Sequence, residues 1–438
     1  MEEATCRFPK WVSAKITDYY GEQGINHLFE WQINVLNEAI ASENSENQHL
    51  IFSAPTSAGK SIVAELLAWK VASTGKKVLF VLPYISVARE KLHQIQRCWR
   101  RDDISVCGFI GPQSTNPNEW TGAVCTIEKA ASLTNRALSE DWFQDIGMVV
   151  IDEMHMIFDS SRGAHIEHML SKILLFNKTA SEKIRIVGMS ATIPELQRLG
   201  KWLDARVLEA NFRPISLKNH IIIGSEMRNI NGSILREFTE DPLITLAEES
   251  FRQNSQTLIM MSSKLDAEKT ALSIAMRFHE LKKTDGSMLE QLKKRADGLM
   301  FIRNGLERHG CKDRNVMAAL AWGVAYHHAG LTMEERECIE MGFREKSIII
   351  LVATSTLASG VNLPAERVII KAQTRGPSAL TSLSYRQMVG RAGRTGHATR
   401  GEFTASLIVS RCIKKVLDDR RFRDATLINI SFIRWFII

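Results

Sequence analysis

The sequence lacks the cysteine patterns that build disulfide frameworks and structural zinc sites. Its 438 residues include seven cysteines, at positions 6, 98, 107, 125, 311, 338 and 412, and none forms a C-x-x-C pair. An odd number of scattered cysteines is typical of free thiols in a reducing compartment. We therefore predict no disulfide scaffold and no zinc or iron-sulfur site, and His155, His165 and His168 have no cysteine partners for zinc.

Long hydrophobic runs are also missing. No apolar stretch approaches the roughly 20 residues that a membrane-spanning helix needs. The start, MEEATCRFPK, has no apolar core of the secretory type. Low-complexity tracts and repeats with a period of about 20 to 50 residues are not evident either. We expect an intracellular, soluble, globular protein with no membrane partner.

An excess of acidic charge is absent too. Lys and Arg together number 56 against 49 Asp and Glu, which gives a formal charge of +7 and a pI near 9.0. This balance mildly favours a polyanionic partner such as nucleic acid. The hydrophobic content of 45% is ample for sizeable cores, and the length suits two or three domains.

Short, unalternated apolar runs rich in Val and Ile recur in two sets, and such runs are typical of strands buried in a parallel sheet. The first set is HLIFSA (49–54), VLFVLP (78–83), AVCTI (123–127), GMVVIDE (147–153) and IRIVGMSA (184–191). The second set is QTLIMMS (256–262), WGVAYHH (322–328), SIIILVATS (347–355), RVIIKA (367–372) and FTASLIVS (403–410). The fold class is therefore predicted as α/β, with two tandem domains and a ligand cleft between them.

Domain boundaries follow from the two sets. We predict an N-terminal domain over residues 1–215, a C-terminal domain over 216–410 and a short divergent tail over 411–438. Residues 280–315 are charged and contain no strand-like run, so a helical insertion is expected there.

The stretch APTSAGKS, residues 54 to 61, lies between the strand HLIFS and the helix SIVAELLAWKVAS. In a P-loop, backbone N–H groups face phosphates at a helix N-terminus, the Lys reaches the β and γ oxygens, and the final hydroxyl holds magnesium. The predicted nucleotide-binding residues are Ala54, Pro55, Thr56, Ser57, Ala58, Gly59, Lys60 and Ser61. Taken alone, the pattern also fits a kinase, a GTPase or a chance match.

The stretch VVIDEMH ends a strand 92 residues after Lys60. One carboxylate can hold the magnesium shell while its neighbour polarises the attacking water, because phosphoryl transfer depends on positioning and charge neutralisation. We assign Asp152 to the metal side and Glu153 as the base. An acidic cap on the following helix is the structural alternative.

The stretch SYRQMVGRAGRTG, residues 384 to 396, places Arg391 and Arg394 three residues apart, on one face of a helix. Arginine supplied across a cleft stabilises charge on the γ-phosphate only when two domains close. A solvated basic helix end is the alternative interpretation.

In combination, these motifs are far more specific. APTSAGKS, DEMH, SAT (Ser190 to Thr192) and QMVGRAGRTG occur in the order of the superfamily 2 DExH-box helicases, which the chain resembles. Further matches are PYISVAREK (83–91), TIEKA (126–130), SRG (161–163), FRPISL (212–217), VAYHHAGL (324–331) and ATSTLASGVNLPA (353–365). These are most similar to the DNA helicase group that contains HELQ and the helicase domain of DNA polymerase theta. The resemblance covers roughly residues 25 to 410.

The resemblance implies two RecA-like P-loop domains with magnesium-ATP in the interdomain cleft. Gln32 would read adenine, His155 would link the hydrolytic centre to neighbouring motifs, and SAT would couple hydrolysis to domain movement. From the second domain, Gly360 and Asn362 would sense nucleotide, and Gln387 would touch the γ-phosphate or its water. Each of these residues alone fits a turn, cap or core position equally well.

A motor of this kind should hold a nucleic acid strand through its phosphates. By resemblance, contacts come from PYISVAREK, TIEKA and ATSTLAS, so the predicted residues are Ser86, Arg89, Thr126, Lys129 and Thr354. A solvated surface explains the charged members equally well. DNA is preferred over RNA through the resemblance alone, since no 2′-hydroxyl contact is readable.

The sequence departs from the family after about residue 410, where the winged-helix and ratchet domains are expected and RCIKKVLDDRRFRDATLINISFIRWFII stands instead. The leading hypothesis is a nuclear, ATP-dependent DNA helicase or translocase that acts on single-stranded or forked DNA in repair and fork processing. One alternative is an RNA helicase of the related exosome-assisting group. The other is a truncated nucleotide- or DNA-binding regulator that does not unwind efficiently.

Overall fold

The computed structural model describes residues 5–40, 48–55, 58–110, 120–191, 196–210, 212, 217–229, 231–283, 285–354, 363, 365–371, 385, 388–389 and 403–409. The chain divides into two compact units, Met1–Arg213 and Pro214–Ile438. The tail predicted over 411–438 lies outside the described residues.

The first unit contains a seven-stranded parallel sheet and a separate antiparallel pair. The pair is β1 (Thr5–Cys6) with β2 (Leu28–Phe29). The sheet strands are β3 (His49–Ser53), β4 (Lys77–Leu82), β5 (Val106–Phe109), β6 (Gly122–Thr126), β7 (Ile146–Ile151), β8 (Arg185–Ser190) and β9 (Ala205–Glu209). Their order across the sheet is β5-β6-β4-β7-β8-β3-β9. The helices are α1 (Ala14–Glu22), α2 (Glu30–Ile40), α3 (Lys60–Ala72), α4 (Ile85–Trp99), α5 (Ile127–Ser139), α6 (Gly163–Phe176) and α7 (Leu196–Leu203).

The apolar runs form strands because both faces of this sheet are covered. In β4, Val78 and Phe80 pack into one buried apolar cluster. The alternate residues Leu79 and Val81 pack into a second cluster on the opposite face. A strand buried on both faces needs apolar side chains at consecutive positions, which explains the absence of alternation in the sequence.

The second unit contains an eight-stranded mixed sheet. Its strands are β10 (Leu217–Ile223), β11 (Glu226–Asn229), β12 (Ile234–Glu237), β13 (Thr257–Met261), β14 (Val324–His327), β15 (Ile350–Thr354), β16 (Arg367–Lys371) and β17 (Phe403–Val409). Their order is β12-β11-β10-β17-β16-β13-β15-β14, and the pairs β10 with β11 and β11 with β12 are antiparallel. The helices are α8 (Pro242–Arg252), α9 (Lys264–Leu281), α10 (Gly286–Lys293), α11 (Ala296–Arg308), α12 (Arg314–Leu320) and α13 (Met333–Arg344).

The predicted fold class of two α/β domains is confirmed, and all ten apolar runs coincide with strands. The runs did not indicate the edge strands β5 and β9 or the antiparallel hairpin of β11 and β12. In the part of the chain that the structure describes, no helix is long and apolar enough to cross a membrane.

Candidate functional site

Five neighbouring strands of the first sheet end at one edge, and the motifs follow them. The strands β6, β4, β7, β8 and β3 lie side by side and parallel. TIEK begins at the last residue of β6, PYIS follows β4, DEMH follows β7, SAT begins at the last residue of β8, and APTSAGKS follows β3. Parallel pairing therefore gathers, at the carboxyl edge where α/β proteins bind ligands, segments that are distant in the sequence.

The described residues between β3 and α3 are Ala54, Pro55, Ala58 and Gly59. Gly59 precedes the helix with φ of 80°, in the left-handed region that favours glycine. The Lys60 ammonium donates to the carbonyl oxygens of Ala54 (2.7 Å) and Pro55 (2.9 Å). The N–H of Ala58 donates to the Pro55 carbonyl at 3.2 Å. The loop thus holds the Lys60 charge beside the N-terminus of α3, where backbone N–H groups and the helix dipole favour phosphate.

Gln32, predicted to read adenine, is buried against this loop. Its Oε1 accepts from the N–H of Phe29 (2.8 Å), and its Nε2 donates to the Gly59 carbonyl at 2.8 Å. A Cβ at position 59 would lie 2.5 Å from that Nε2, so only glycine leaves room for this contact. Gln32 therefore connects the start of α2 to the phosphate loop, and each end of its amide keeps capacity for one further hydrogen bond.

The two acidic residues of DEMH stand immediately after β7. The N–H of Asp152 donates to the Val81 carbonyl of β4 at 3.0 Å, and Oδ1 of Asp152 accepts from the N–H of Glu153 at 2.8 Å. Glu153 has φ of 50°, which turns the chain away from the sheet. Burial and then the charge of Glu153 raise the pKa of Asp152 to about 6, and the cations Lys91 and Lys60 oppose this shift. The ionised carboxylate therefore depends on nearby positive charge.

His155 connects the acidic pair to SAT. Its Nδ1 lies 2.9 Å from the hydroxyl oxygen of Ser190, at the end of β8, and 3.3 Å from Oε2 of Glu153. The imidazole and the Ser190 hydroxyl are both buried. A buried polar chain of this kind holds its members in fixed geometry because an unpaired buried group is costly.

Ser61 and Asp152 line one small cavity between α3 and the sheet, together with Glu65 and Lys91. Hydroxyl and carboxylate oxygens suit Mg²⁺, which proteins hold through one or two such groups while the substrate phosphates and water complete its shell. Among the described residues, no cluster of three or more His, Cys, Asp or Glu is placed to hold a metal alone. The donor set therefore fits a magnesium ion that is shared with a nucleotide.

Glu65 and Lys91, which both line this cavity, form a buried ion pair that was not predicted from the sequence. The Lys91 ammonium of α4 lies 2.6 Å from Oε1 of Glu65 in α3. Oε2 of Glu65 accepts from the Tyr20 hydroxyl (2.6 Å) and from the Gln94 amide at 3.3 Å. Burial would lower the pKa of Lys91, but the charge and hydrogen bond of Glu65, with the charges of Asp152 and Glu90, raise this pKa above its usual value. A lone Glu in the apolar run SIVAELLAW was the available signal.

The residues predicted to contact a nucleic acid strand fall into two groups, exposed and buried. Ser86 and Arg89 on α4 and Lys129 on α5 are exposed. Thr126, which ends β6, is only 6% exposed, and Thr354, which ends β15 in the second unit, is 7% exposed. The three exposed side chains are accessible to a nucleic acid strand. The two threonines are largely buried, so only a small part of each side chain could contact it.

Seven predicted site residues lie outside the described residues: Thr56, Ser57, Gly360, Asn362, Gln387, Arg391 and Arg394.

Family models match both halves of the chain. A model described as DEAD/DEAH box helicase matches residues 30–199, and one described as helicase conserved C-terminal domain matches residues 306–396. The chain therefore contains a DEAD/DEAH box helicase domain followed by a helicase conserved C-terminal domain. The first match contains the loop, DEMH and SAT, so the site described above lies within the matched residues.

Relatives of this chain include three differently named groups. The chain is 75% identical over 444 residues to DNA polymerase theta of Caenorhabditis elegans, covering 98% of this chain and 27% of that protein. It is 33% identical to Helicase POLQ-like of Homo sapiens, covering 89% of this chain and 36% of that protein. It is 32% identical to ATP-dependent DNA helicase Hel308 of Pyrococcus abyssi, covering 91% of this chain and 53% of that protein. The chain spans between about a quarter and a half of these relatives, and the resemblance predicted from the motifs is confirmed.

Proposed function

We propose that the chain is an ATP-dependent DNA helicase or translocase that acts on single-stranded or forked DNA in repair and fork processing. The observation that carries this proposal is the set of contacts that joins Asp152 and Glu153 to His155 and Ser190, with the charge of Lys60 acting on Asp152. Support comes from the relatives, one of which is named an ATP-dependent DNA helicase. A nuclear location is proposed on the same basis, since another relative is a eukaryotic DNA polymerase.

In the proposed reaction, Lys60 and the N-terminus of α3 bind the phosphates of ATP. Ser61 and Asp152 would hold Mg²⁺, which would supply positive charge to the phosphates of ATP. Glu153 orients the attacking water and accepts its proton, while His155 and Ser190 keep the Glu153 carboxylate in position. Gln32 keeps the phosphate loop attached to α2 and has one amide hydrogen left for the base edge.

The second unit is proposed to contribute further residues to the reaction. Arg391 and Arg394 would stabilise the transferred phosphoryl group, Gln387 would contact it, and Gly360 and Asn362 would sense the nucleotide. Ser86, Arg89, Thr126, Lys129 and Thr354 would contact the strand backbone. Hydrolysis would then depend on bringing the two units together around ATP.

The test is ATP hydrolysis by the 438-residue chain, with and without single-stranded DNA. We expect Lys60→Ala and Glu153→Gln each to lower kcat on the order of 100-fold, because each removes charge or proton transfer in the transition state. Matched controls are Lys201→Ala, an exposed lysine of α7, and Glu140→Gln, an exposed glutamate after α5. Hydrolysis that survives both site substitutions would disprove the assigned mechanism.

Competition between DNA and RNA oligomers of matched sequence decides the substrate. Stronger stimulation by DNA is expected, and stimulation by RNA alone would favour the exosome-assisting type of helicase. A strand-displacement assay on tailed and forked duplexes then separates a helicase from a nucleotide-binding regulator, because only the former releases the displaced strand.

A further inference from the structure

The segment SRG, residues 161 to 163, has no part in the proposed reaction, yet it contacts two of the predicted strand-binding segments. The Arg162 Nη1 donates to the Pro83 carbonyl at 2.6 Å, where PYISVAREK begins. Its Nε lies 3.2 Å from Oε1 of Glu128 in TIEKA. The guanidinium also lies over the Tyr84 ring, 5.2 Å from its centre. One side chain thus joins the segment after β4 to the first turn of α5.

The turn that carries Arg162 begins at Asp159, four residues after the histidine of DEMH. A 3₁₀ helix, Met154–Phe158, begins one residue after Glu153, and Asp159 follows its last residue. Oδ1 of Asp159 accepts from the N–H groups of Ser161 and Arg162 (both 2.9 Å) and from the Ser161 hydroxyl at 2.7 Å. A Cβ on Gly163 would lie 2.2 Å from the Ile157 carbonyl oxygen, so the turn requires glycine.

We propose that Arg162 is a positioning residue that couples the hydrolytic turn to the nucleic acid strand. This rests on the proposed function. Arg162 is only 10 residues from Asp152 in the sequence, and the short helix and the Asp159 turn join the two. Movement of the DEMH turn during hydrolysis is therefore transmitted to the PYISVAREK and TIEKA segments, and strand binding there acts back on the turn.

The chemistry of arginine explains the choice of residue. The planar guanidinium donates in two directions at once and stacks on an aromatic ring, which a lysine ammonium cannot reproduce with the same geometry. The side chain is 34% exposed, so its role lies in geometry more than in burial. Ser86 and Arg89 follow Tyr84 by two and five residues, and Lys129 adjoins Glu128.

The experiment measures two properties of the 438-residue chain against a labelled oligo-dT strand. The first is fluorescence anisotropy of the strand without nucleotide, and the second is ATP hydrolysis as the strand concentration rises. For Arg162→Ala we expect the Kd and the strand concentration for half-maximal stimulation to rise on the order of tenfold, a size common for coupled sites. The kcat at saturating strand should change much less.

Variants of matched chemistry make the result specific. Arg162→Lys should resemble Arg162→Ala, because lysine keeps the positive charge but lacks the planar guanidinium that donates in two directions. If the alanine variant does not fold, the lysine variant provides the test. Arg136→Ala, an exposed arginine of α5 paired with Glu140, should behave as the unsubstituted chain. Circular dichroism checks the fold of each variant.

Two outcomes would overturn the proposal. In the first, Arg162 variants bind the strand as tightly as Arg136→Ala. In the second, they lower kcat with an unchanged dependence on strand concentration, as a purely structural role would. If the unsubstituted chain hydrolyses no ATP, the proposed function fails, and the anisotropy measurement still decides whether Arg162 positions the strand-binding segments.

Discussion

At the start of β3, one histidine shows how the sheet edge opposite the site depends on pH. His49 is buried, and its Nδ1 accepts from the N–H of Ile186 in β8 at 3.1 Å. Burial, and next the neighbouring charge of Arg185, lower the pKa of His49 to about 4. The folded chain therefore keeps this imidazole neutral where an unfolded chain, with a pKa near 6.5, takes up a proton.

Acid should weaken the first unit through this residue. Because the folded pKa is depressed, the unfolded state binds the extra proton between about pH 6.5 and pH 4, and stability falls as the pH drops through that window. Comparing urea unfolding at pH 7.5 and 4.5, we expect His49 to account for a loss of about 2 to 3 kcal/mol. His49→Gln, which keeps an acceptor and does not titrate, should remove most of that loss.

The exposed His93 on α4 provides the control. His93→Gln should leave the acid-induced loss of stability as it is in the unsubstituted chain. An equal loss in the His49 and His93 variants would contradict the assignment.

At the scale of elements, the pairing of α3 with α4 depends on a buried ion pair. Glu65 and Lys91 join the helix that begins at the phosphate loop to the helix that carries Ser86 and Arg89. Buried pairs contribute little net stability compared with apolar packing, yet losing one partner is costly because the other charge stays buried. We therefore expect the pair to fix the packing of the two helices against each other more than it stabilises the fold.

Removing one partner should reveal this asymmetry. Lys91→Met leaves the Glu65 carboxylate buried without its cation, and we expect a loss of about 3 to 5 kcal/mol in urea unfolding. The double variant Glu65→Gln with Lys91→Met should recover most of it, since Gln still bonds Tyr20 and Gln94. The exposed pair of Arg136 and Glu140 is the control, and Arg136→Met should cost less than about 1 kcal/mol. A Lys91→Met loss as small as that control would refute the buried-pair interpretation.

At the scale of the whole molecule, each unit has its own sheet and its own buried clusters. Two clusters of the described residues belong to the first unit and a third to the second. In that third cluster the rings of Phe251 and Phe278 lie 4.7 Å apart between centres. Units with separate cores are expected to unfold in separate steps.

Core substitutions should therefore act on one unit at a time. Phe278→Ala should cost about 3 to 5 kcal/mol in the second unit through the lost contacts and the cavity left behind. Hydrogen exchange resolved by peptide mass should show faster opening in peptides after residue 214 and unchanged opening before it. Leu79→Ala, in β4, should show the reverse pattern. Equal effects of either variant on both units would show that they unfold as one.

The sequence predicted elements where burial was complete and missed them where it was partial. The fully buried strand β4 was plain as VLFVLP, whereas β9 has exposed and half-buried positions and β12 is exposed at all four. An edge strand needs no continuous apolar run, because one of its sides faces water. Its place in a sheet depends on which partner strand lies beside it.

The same distinction applies to the site. By itself the sequence determined the α/β fold class and the nucleotide motifs, because a phosphate loop and an acidic pair need only a strand, a turn and a helix that are contiguous in the chain. Only the tertiary structure decided that Lys91 neutralises Glu65, that His155 meets Ser190, and that Arg162 joins Pro83 to Glu128. These contacts join strands and helices that are distant in the sequence and become neighbours only when the parallel strands pair. The spacing of side chains along one segment cannot indicate which other segment will pack beside it.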